Sequence, residues 1–372
     1  MIKFSKNTKM KEALFIERIN KFTVKCEINN HIIKAYLPNS GRLWELLLPK
    51  RKLYLKEKNG NLNYKVFGVE RNGYFICLDT HYTNTLVKQF LKKNIIKDLT
   101  GYKIKKEEFK IENTKIDFLI EKENKIVPLE VKSCTLFENN IAMFPDAITQ
   151  RAKKHLEILE KNNGIILFIV YYPEAKYFLP EFHIDPLFSK KLYELRNKIL
   201  IKAISVKWIG DEKFEFVKEI EIPWHIYEKE GKDKGNYLIL GKLNNDIYLK
   251  IGYLENLFFK KGYYIYVGSA MNSLTARIKR HLKINKIKKW HIDYFIPYLN
   301  DLKSISIRSS ENLECLVSNE LEKISNGIIK NFGSTDCKCK SHLYFFENNP
   351  LCNEKFINIL LKFRIGRLNK FF

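Results

Sequence analysis

Carboxylate, lysine and apolar residues alternate at strand-like spacing near the middle of this 372-residue chain. Asp117 opens one apolar strand, and Glu130 and Lys132 lie in the next. Residues two apart on a strand point to the same face, so Glu130 and Lys132 should lie together, with Asp117 beside them. Such a group can hold a hard divalent cation, while the lysine orients or deprotonates water or stabilises charge on phosphorus. The alternative is a solvated strand face, because Glu-x-Lys occurs five times in this lysine-rich chain.

The last third of the chain carries a second group suited to the same kind of chemistry. Tyr264 and Tyr266 share one face of an apolar strand, and Arg277 follows in a predicted helix, with His281 one turn later. Glu314 begins a later helix-like stretch. A phenol near a divalent cation can activate water, an arginine can bind developing phosphate charge, and a glutamate can hold the metal. The alternative is that the tyrosines are core residues and the arginine is a surface base.

The charge balance indicates a polyanionic partner. The chain has 66 Lys and Arg against 42 Asp and Glu, a net charge of +24, and such a field attracts phosphate backbones. The densest basic stretch, 277–289, is predicted to be helical and contains no acid, and Trp290 and Tyr294 beyond it can stack on bases. We therefore predict DNA as the partner. RNA stays an alternative, because charge does not separate the two, and a solvated lysine-rich surface is the alternative without nucleic acid.

Cysteine number and hydropathy bear on the compartment. Seven cysteines, an odd number, argue against a secreted disulfide framework. No apolar run approaches the ~18 residues of a membrane span. We therefore predict a cytoplasmic protein without a membrane partner.

Cys337, Cys339 and His342 have ligand-like spacing and need one further ligand to hold Zn²⁺. The candidates for that ligand are Cys315, His281 and His291. Because the spacing matches no standard zinc finger, a loop of reduced thiols is the interpretation we favour over Zn²⁺.

Apolar runs separated by turn signals predict three folded domains. Five short strands fit a small barrel such as an OB-fold, at 22–28, 32–37, 53–56, 64–69 and 73–78. A helix over 83–92 precedes an α/β pattern with strands at 116–120, 126–133, 165–170 and 204–209 and a helix over 147–161. The predicted boundaries are an OB-like domain at 1–80, an α/β domain at 81–222, a polar linker at 223–234, a third domain at 235–345, and a basic tail at 346–372 with the periodicity of a docking helix.

Six motifs follow one another in residues 10–222. They are RINKF (18–22), LPNSG (37–41), DTHYTN (79–84), IDFL (116–119), LEVKS (129–133) and FPDAITQRAKKHL (144–156). This set resembles the sugar fermentation stimulation protein A (SfsA) family, which implies an OB-fold joined to a PD-(D/E)XK nuclease-like domain and an association with DNA. The resemblance implies Asp117, Glu130 and Lys132 as the nuclease-type triad, with the two carboxylates as metal ligands. It also implies a following helix that faces the same cleft and carries Asp146, Arg151 and His155; for the aspartate, a helix cap is the alternative.

A second set of motifs lies in residues 235–345. They are GNY (235–237), YVGSA (266–270), RIKRHL (277–282), WHIDY (290–294) and GSTDCKCKSHL (333–343). This set resembles the GIY-YIG nuclease superfamily, most of all an archaeal-type branch of uncharacterised domains. The resemblance implies Tyr237 and Tyr266 as the motif tyrosines, Arg277 as the motif arginine, His281 one helical turn later, and Glu314 as the metal ligand. The tyrosines are 29 positions apart, which a hairpin inserted over 246–259 would explain. Asp336 and His342 are further candidates for this cleft.

We therefore predict a multidomain α/β and α+β protein that binds DNA and hydrolyses phosphodiester bonds with Mg²⁺ or Mn²⁺. The C-terminal domain would supply a second nuclease centre or a DNA clamp. The predicted nucleic-acid contacts are Arg18, Asn39, Arg42, Arg151, Lys154, Lys279, Arg280 and Lys283. The competing hypothesis is a non-catalytic DNA-binding or regulatory protein that reuses nuclease folds. The sequence leaves the oligomeric state open, a dimer included.

Overall fold

The structure is a computed structural model that describes residues 10–252 and 254–372. Contacts divide the chain into two units, one ending at Trp224 and the other starting at His225. Within the described residues no helix is both long and apolar enough to cross a bilayer. Each unit is described below by itself.

The N-terminal unit begins with an OB-like barrel. Its strands are β1 (Lys11–Asn20), β2 (Thr23–Ile28), β3 (His31–Tyr36), β4 (Lys52–Glu57), β5 (Tyr64–Arg71) and β6 (Tyr74–Cys77). They are ordered β3-β2-β1-β4-β5-β6, and a parallel pairing of β3 with β5 closes the first five into a barrel. The predicted barrel is confirmed, but the prediction missed β1 and took β6 for the fifth barrel strand. β1 was not predicted because it buries only Ala13 and Phe15, and the charged residues around them weaken its apolar–polar alternation.

An α/β region follows in the same unit. Its elements are α1 (Thr80–Lys92), β7 (Lys103–Ile111), β8 (Thr114–Lys122), β9 (Lys125–Cys134), β10 (Leu136–Glu138), β11 (Ile141–Phe144), α2 (Gln150–Lys161), β12 (Ile165–Val170), β13 (Tyr177–Pro180), α3 (Pro186–Glu194), β14 (Leu200–Gly210) and β15 (Lys213–Glu219). Six strands form one sheet in the order β15-β14-β12-β9-β8-β7, with β9, β12 and β14 parallel. β12 is buried at all six positions, as expected for a central parallel strand. A small second sheet has the order β10-β11-β13.

Two capped helices pack against the six-stranded sheet near β9. Asp79 caps α1 by accepting from the His81 N–H, and Thr149 caps α2 by accepting from the Ala152 N–H. Each helix turns one apolar stripe inward, and on α2 that stripe also carries the buried His155. The cap positions explain why α1 starts three residues before its predicted start and α2 three residues after.

The C-terminal unit is built on an antiparallel sheet. Its elements are α4 (Trp224–Glu230), β16 (Gly235–Leu243), β17 (Ile247–Ile251), β18 (Leu254–Phe259), β19 (Gly262–Ala270), α5 (Leu274–Leu282), α6 (His291–Phe295), β20 (Asn300–Arg308), α7 (Glu314–Glu322), β21 (Gly327–Ile328), β22 (Leu343–Phe346) and α8 (Glu354–Arg364). The sheet order is β20-β16-β19-β22-β21, while β17 and β18 pair only with each other. That separate pair is the hairpin predicted between the two motif strands, and β16 and β19 are direct neighbours.

Two segments predicted as a linker and a tail are folded in the structure. In the 223–234 segment, Glu230 is buried and forms an ion pair with Arg367 over 2.7 Å. In the 346–372 segment, α8 buries an apolar face that includes Phe356 and Leu360. The polar composition of 223–234 concealed its contacts, whereas the apolar periodicity of the tail predicted a docking helix, which α8 is.

Candidate functional site

The β8–β9 pairing brings the predicted carboxylates together. Phe118 pairs with Leu129 at the end of the ladder, so Asp117 and Glu130 are the next residues on the two strands, and the Asp117 carboxylate reaches the Val131 N–H. Asp117 accepts hydrogen bonds on both oxygens, from Asn84 Nδ2 at 2.8 Å and from the Val131 N–H at 2.9 Å. Burial raises the pKa of Asp117, and the neighbouring Glu130 charge raises it further.

Glu130 is only 2% exposed, and its two oxygens differ. Oε1 contacts both Lys132 Nζ and His155 Nδ1. Oε2 is buried and has no hydrogen-bond partner among the residues that the structure describes. Burial alone would raise the pKa of Glu130, but Lys132 and His155 together outweigh it and hold the pKa below its ordinary value. The group is therefore a buried carboxylate with one oxygen still able to accept a ligand.

His155 connects this carboxylate to the helix α2. Arg151 Nε donates to His155 Nε2 over 3.3 Å, which assigns the ring proton to Nδ1, where it is donated to Glu130. Lys132 Nζ also lies 3.2 Å from that ring nitrogen. Arg151 and His155 are one turn apart on α2 and both line the same cleft, as expected. Lys154, on the same helix, is exposed.

The site opens into a cleft of about 760 Å³ between the barrel and the α/β region. The barrel side of the cleft includes Lys21, Phe22, Tyr36 and Asn39, and the opposite side includes Asp117, Glu130, Lys132, Arg151 and His155. Phe22 is 46% exposed at this lip, with Lys21 Nζ 5.6 Å from its ring centroid. The walls thus combine cations, an exposed aromatic ring and four carboxylates, since Glu108 and Asp146 also line the cleft.

Asp146 does not lie on α2, contrary to the prediction, and it does not cap that helix. It precedes the helix and accepts a 3.3 Å hydrogen bond from the Leu43 N–H in the loop between β3 and β4. A Cβ added at Gly41 would lie 2.0 Å from Asp146 Oδ2, so only glycine fits at that position. Burial raises the pKa of Asp146. This hydrogen bond joins the barrel to the α/β region across 103 residues of sequence and was not predicted.

Three predicted nucleic-acid contacts lie at this barrel loop. Arg18 donates to the backbone carbonyls of Gly41 and Arg42 at 2.5 and 3.0 Å, and its other N–H groups bond further carbonyls nearby. Asn39 Oδ1 accepts from the Gly41 N–H at 2.9 Å, and the Arg42 guanidinium lies 5.1 Å from the Trp44 ring centroid. In this structure Arg18 and Asn39 shape the loop. Their contact with nucleic acid stays a prediction.

In the C-terminal unit the motif tyrosine on β16 faces a glycine on β19. Tyr237 pairs with Gly268, and a Cβ added there would lie 2.3 Å from the tyrosine hydroxyl. That hydroxyl is 2.9 Å from His281 Nε2 on α5. The Tyr266 ring centroid is 6.4 Å from that of Tyr237. Burial raises the pKa of both tyrosines, so both phenols are protonated at neutral pH. Tyr264, in contrast, is a core residue that contacts Phe295.

Asp293, which the sequence analysis did not assign, organises the basic stretch. Its Oδ1 is 3.1 Å from His281 Nδ1 and 3.0 Å from Lys286 Nζ, and its Oδ2 is 3.1 Å from Arg280 Nη2. Burial would raise the pKa of Asp293, but these partners hold it far below its ordinary value. Burial also lowers the pKa of His281. The ring is therefore neutral and can accept from Tyr237 while it donates to Asp293.

The predicted helix over 277–289 is wrong in its length, since α5 ends at Leu282. The Arg277 and Arg280 guanidinium groups lie 4.5 and 4.2 Å from the Trp290 ring centroid, while Lys279 and Lys283 are exposed. The stretch was expected to have no neutralising acid, and Asp293 supplies one from outside it. Asp293 is part of the WHIDY motif, but its partner His281 lies 12 residues earlier in the chain. The two are not on one helix, so helical spacing does not predict the contact.

Glu314 lies at the first turn of α7 beside the motif strand β19. Ser269 Oγ donates to its Oε2 over 2.5 Å, and its Oε1 is 3.0 Å from His342 Nδ1. The charge of Glu314 adds to the rise in the pKa of both tyrosines that burial causes, while the neighbouring Arg277 guanidinium acts to lower both pKa values. The structure thus gathers Tyr237, Tyr266, Arg277, His281 and Glu314 into one cluster.

Comparisons with known proteins agree with this architecture. The model of the SfsA N-terminal OB domain matches residues 16–78, that of the sugar fermentation stimulation protein RE domain matches 81–212, and that of a domain of unknown function, DUF123, matches 236–365. Sugar fermentation stimulation protein homologues are similar at 30% identity over 224 residues in Methanothermobacter thermautotrophicus (53% of this chain, 93% of the relative) and at 36% over 219 residues in Clostridium tetani (56% and 95%).

A solved structure, that of Pyrococcus furiosus SfsA in complex with Ca²⁺, matches with a TM-score of 0.55 and 27% identity over 60% of this chain and 99% of that chain. Fold and site define a multidomain α/β protein with an N-terminal OB-like barrel. The chain belongs to the sugar fermentation stimulation protein family, with a DUF123 domain in its C-terminal part.

Proposed function

We propose that this protein binds nucleic acid in the cleft and hydrolyses phosphodiester bonds at Asp117, Glu130 and Lys132 with a divalent cation. The observation that carries the proposal is Glu130 Oε2, a buried carboxylate oxygen without a hydrogen-bond partner among the described residues, opposite a second carboxylate and beside a lysine. A buried, unsatisfied carboxylate oxygen is costly unless a ligand completes it.

The residues present fit Mg²⁺ or Mn²⁺. Asp117 and Glu130 supply hard oxygen ligands, which these cations prefer, and the related Pyrococcus furiosus protein is in complex with Ca²⁺. When bound, such a cation would polarise a phosphoryl oxygen and increase the acidity of a bound water. The low pKa of Glu130 keeps that carboxylate charged and ready for a cation at neutral pH.

The other side chains of the site have roles that follow from their contacts. Asn84 and the Val131 N–H hold Asp117 in one orientation. Lys132 is mostly buried beside Glu130, where its ammonium can orient the attacking water and stabilise charge on the phosphoryl group. Arg151, exposed at the cleft, can bind the phosphate on one side of the scissile bond.

The finer fold assignments belong to the same proposal. A PD-(D/E)XK-like assignment is supported by the order of antiparallel β7, β8 and β9 followed by parallel β12 and β14, with the aspartate on β8 and Glu-x-Lys on β9. A GIY-YIG-like assignment is supported by motif tyrosines on adjacent antiparallel strands, β16 and β19. The neutral His281 beside the Tyr237 hydroxyl could take its proton, which favours a second catalytic centre over a simple clamp.

End-labelled single- and double-stranded DNA and RNA, incubated with Mg²⁺ or Mn²⁺, test the proposal. Wild type is compared with Glu130→Ala, Arg277→Ala and the double variant, and Glu157→Ala, an exposed glutamate on α2, serves as the control. We expect cleavage by wild type and the control and its loss with Glu130→Ala. Loss with Arg277→Ala alone would assign the chemistry to the C-terminal unit. Salt-sensitive binding without any cleavage by wild type would support the non-catalytic alternative.

A further inference from the structure

Three thiols and one imidazole converge in the C-terminal unit. The sulfurs of Cys315, Cys337 and Cys339 and one ring nitrogen of His342 all lie within 4.8 Å of one another. From the sequence, a loop of reduced thiols was favoured because the 337–342 spacing matches no standard zinc finger. The fold supplies the fourth ligand, Cys315, from the first turn of α7, 22 residues before Cys337.

The other two candidate ligands are engaged elsewhere. His281 lies between Tyr237 and Asp293, and His291 Nδ1 accepts from the Gly333 N–H at 3.0 Å. The fourth ligand is thus decided by the tertiary structure, which places Cys315 in the cluster and the two histidines outside it.

The spacing of the four atoms suits a tetrahedral Zn²⁺ site. With Zn–S near 2.3 Å and Zn–N near 2.0–2.1 Å, tetrahedral geometry puts sulfurs about 3.8 Å apart and a sulfur about 3.6 Å from a ring nitrogen. Cys337 Sγ is 3.4 Å from His342 Nε2 in this structure. The widest pairs, within 4.8 Å, need to close by about 1 Å, which side-chain rotation can supply.

The imidazole is already oriented as a metal ligand. His342 is 2% exposed, its Nε2 is 3.4 Å from Cys337 Sγ, and its Nδ1 is 3.0 Å from Glu314 Oε1 without hydrogen-bond geometry to it. A carboxylate on the second ring nitrogen is the usual outer-shell partner of a metal-bound histidine, and a small rotation of either side chain would complete that hydrogen bond. The backbone is fixed as well, since the His342 N–H donates to the Phe332 carbonyl and the Val267 N–H donates to the His342 carbonyl.

Positive charge lies close to the cluster and can offset the charge of bound thiolates. Cys315 lies in the first turn of the nine-residue helix α7, at the positive end of the helix dipole. Lys338 and Lys340 flank Cys339 in the loop. Three thiolates, a neutral imidazole and Zn²⁺ carry a net charge of −1, which Lys338 can offset, while Lys340 forms an ion pair with Glu322.

We propose that Cys315, Cys337, Cys339 and His342 bind one Zn²⁺ in a closed structural site that also positions Glu314 at the Tyr237–His281 cluster. All four positions are filled by protein, so the ion has no open position for substrate. Binding releases the thiol protons to solvent and forms three Zn–S bonds and one Zn–N bond without any change of oxidation state. Because Glu314 also bonds Ser269 on the motif strand, the ion connects the loop to that strand. This site stands independently of the proposed nuclease activity.

The zinc content of the full-length protein tests the site. Protein purified under reducing conditions is measured by inductively coupled plasma mass spectrometry, with Cys337→Ser, Cys339→Ser and Cys352→Ser in parallel. Cys352 is an exposed thiol of the same unit outside the cluster, so it is the matched control. We expect one zinc per chain in wild type and in the control, and at least a tenfold loss in the other two variants. Wild type without zinc, with iron instead, or with a disulfide among these cysteines would overturn the proposal, as would variants that keep their zinc.

Cobalt spectroscopy tests the same site on wild-type protein, so its result does not depend on whether a variant folds. Zinc-free wild-type protein is titrated with Co²⁺, and we expect tetrahedral ligand-field bands with strong sulfur-to-cobalt charge transfer that Zn²⁺ abolishes. An octahedral, thiolate-free spectrum would refute the site. For the link to Glu314, chelator competition should show a 10- to 100-fold weaker zinc affinity in Glu314→Ala, the usual effect of removing an outer-shell partner. Unchanged affinity would refute the positioning role of the ion.

Discussion

Glu45 gives the sharpest prediction about stability. It lies in the loop between β3 and β4, 6% exposed, and its Oε1 has no hydrogen-bond partner among the described residues. Burial, reinforced by the charge of Asp146, raises its pKa from 4.5 to about 7. The folded state thus has to hold a carboxylate in a place that favours the neutral acid.

The size and direction of the effect follow from this shift. A carboxyl group whose pKa rises from 4.5 to about 7 on folding destabilises the folded state by about 3 kcal/mol once both states are ionised. Between these two pH values the unfolded chain releases the proton while the folded chain keeps it, so the contribution of Glu45 to stability falls as the pH rises. Below pH 4.5 Glu45 is protonated in both states and does not destabilise the folded protein. Above about pH 7 it is ionised in both states, and the full destabilisation applies. The neutral Glu45→Gln variant should therefore gain stability over wild type progressively across this window.

Thermal unfolding of the full chain between pH 4 and pH 8 measures the effect. For a unit of about 200 residues, about 3 kcal/mol corresponds to a rise of about 6–12 °C in the melting temperature of the N-terminal transition. We expect that rise at pH 8 and none at pH 4. Glu157→Gln, at an exposed position, is the control and should follow wild type throughout. Parallel melting curves of Glu45→Gln and wild type from pH 4 to 8 would refute the reasoning.

Three further predictions concern the two candidate centres. Gly268→Ala places a Cβ 2.3 Å from the Tyr237 hydroxyl, so overpacking should destabilise the C-terminal unit by about 1–3 kcal/mol in thermal unfolding. Asp293→Asn leaves the buried Lys286 ammonium without its counter-charge and breaks the carboxylate contact with His281, so urea unfolding should show a loss of about 3–5 kcal/mol. Mn²⁺ at a hundred times its dissociation constant should stabilise wild type by about 2.7 kcal/mol in calorimetry, and Glu130→Gln should abolish that gain.

Matched variants decide these three outcomes. Gly327→Ala has ordinary contacts at its added Cβ and should leave stability unchanged; an equal loss there would contradict the Gly268 argument. Asp301→Asn is the exposed counterpart of Asp293→Asn, and similar losses in both would contradict the buried-pair argument. A Mn²⁺ gain that survives in Glu130→Gln would exclude this carboxylate as a metal ligand.

The parts of the fold that the sequence predicted are those with strong local patterns. β12 was predicted with its observed bounds because all six of its residues are apolar and buried. Glu130 and Lys132 were predicted to share a face because of the period of two on a strand, and Asp117 was placed near them on a neighbouring strand, which β8 is. β7 was missed because it is an edge strand with mostly exposed charged residues, which obscures that period.

The parts that were missed depend on contacts between residues distant in sequence. Asp293 neutralises cations that precede it by several residues across a loop, and Asp146 meets a barrel loop more than a hundred residues earlier. Cys315 was one of three candidate fourth ligands, and only the tertiary structure selects it, because α7 brings it to the 337–342 loop. Neither spacing nor charge encodes these contacts, since each depends on where whole elements pack.

Single-turnover cleavage with prebound substrate tests the central claim most directly, because it separates chemistry from binding. Wild type, Glu130→Gln and the Glu157→Gln control are first matched for affinity to the same labelled oligonucleotide, and Mg²⁺ is then added. We predict that Glu130→Gln binds as wild type does but cleaves at least about 100-fold more slowly, since even outer-shell metal partners account for 10- to 100-fold. Cleavage at the wild-type rate by Glu130→Gln would contradict the account.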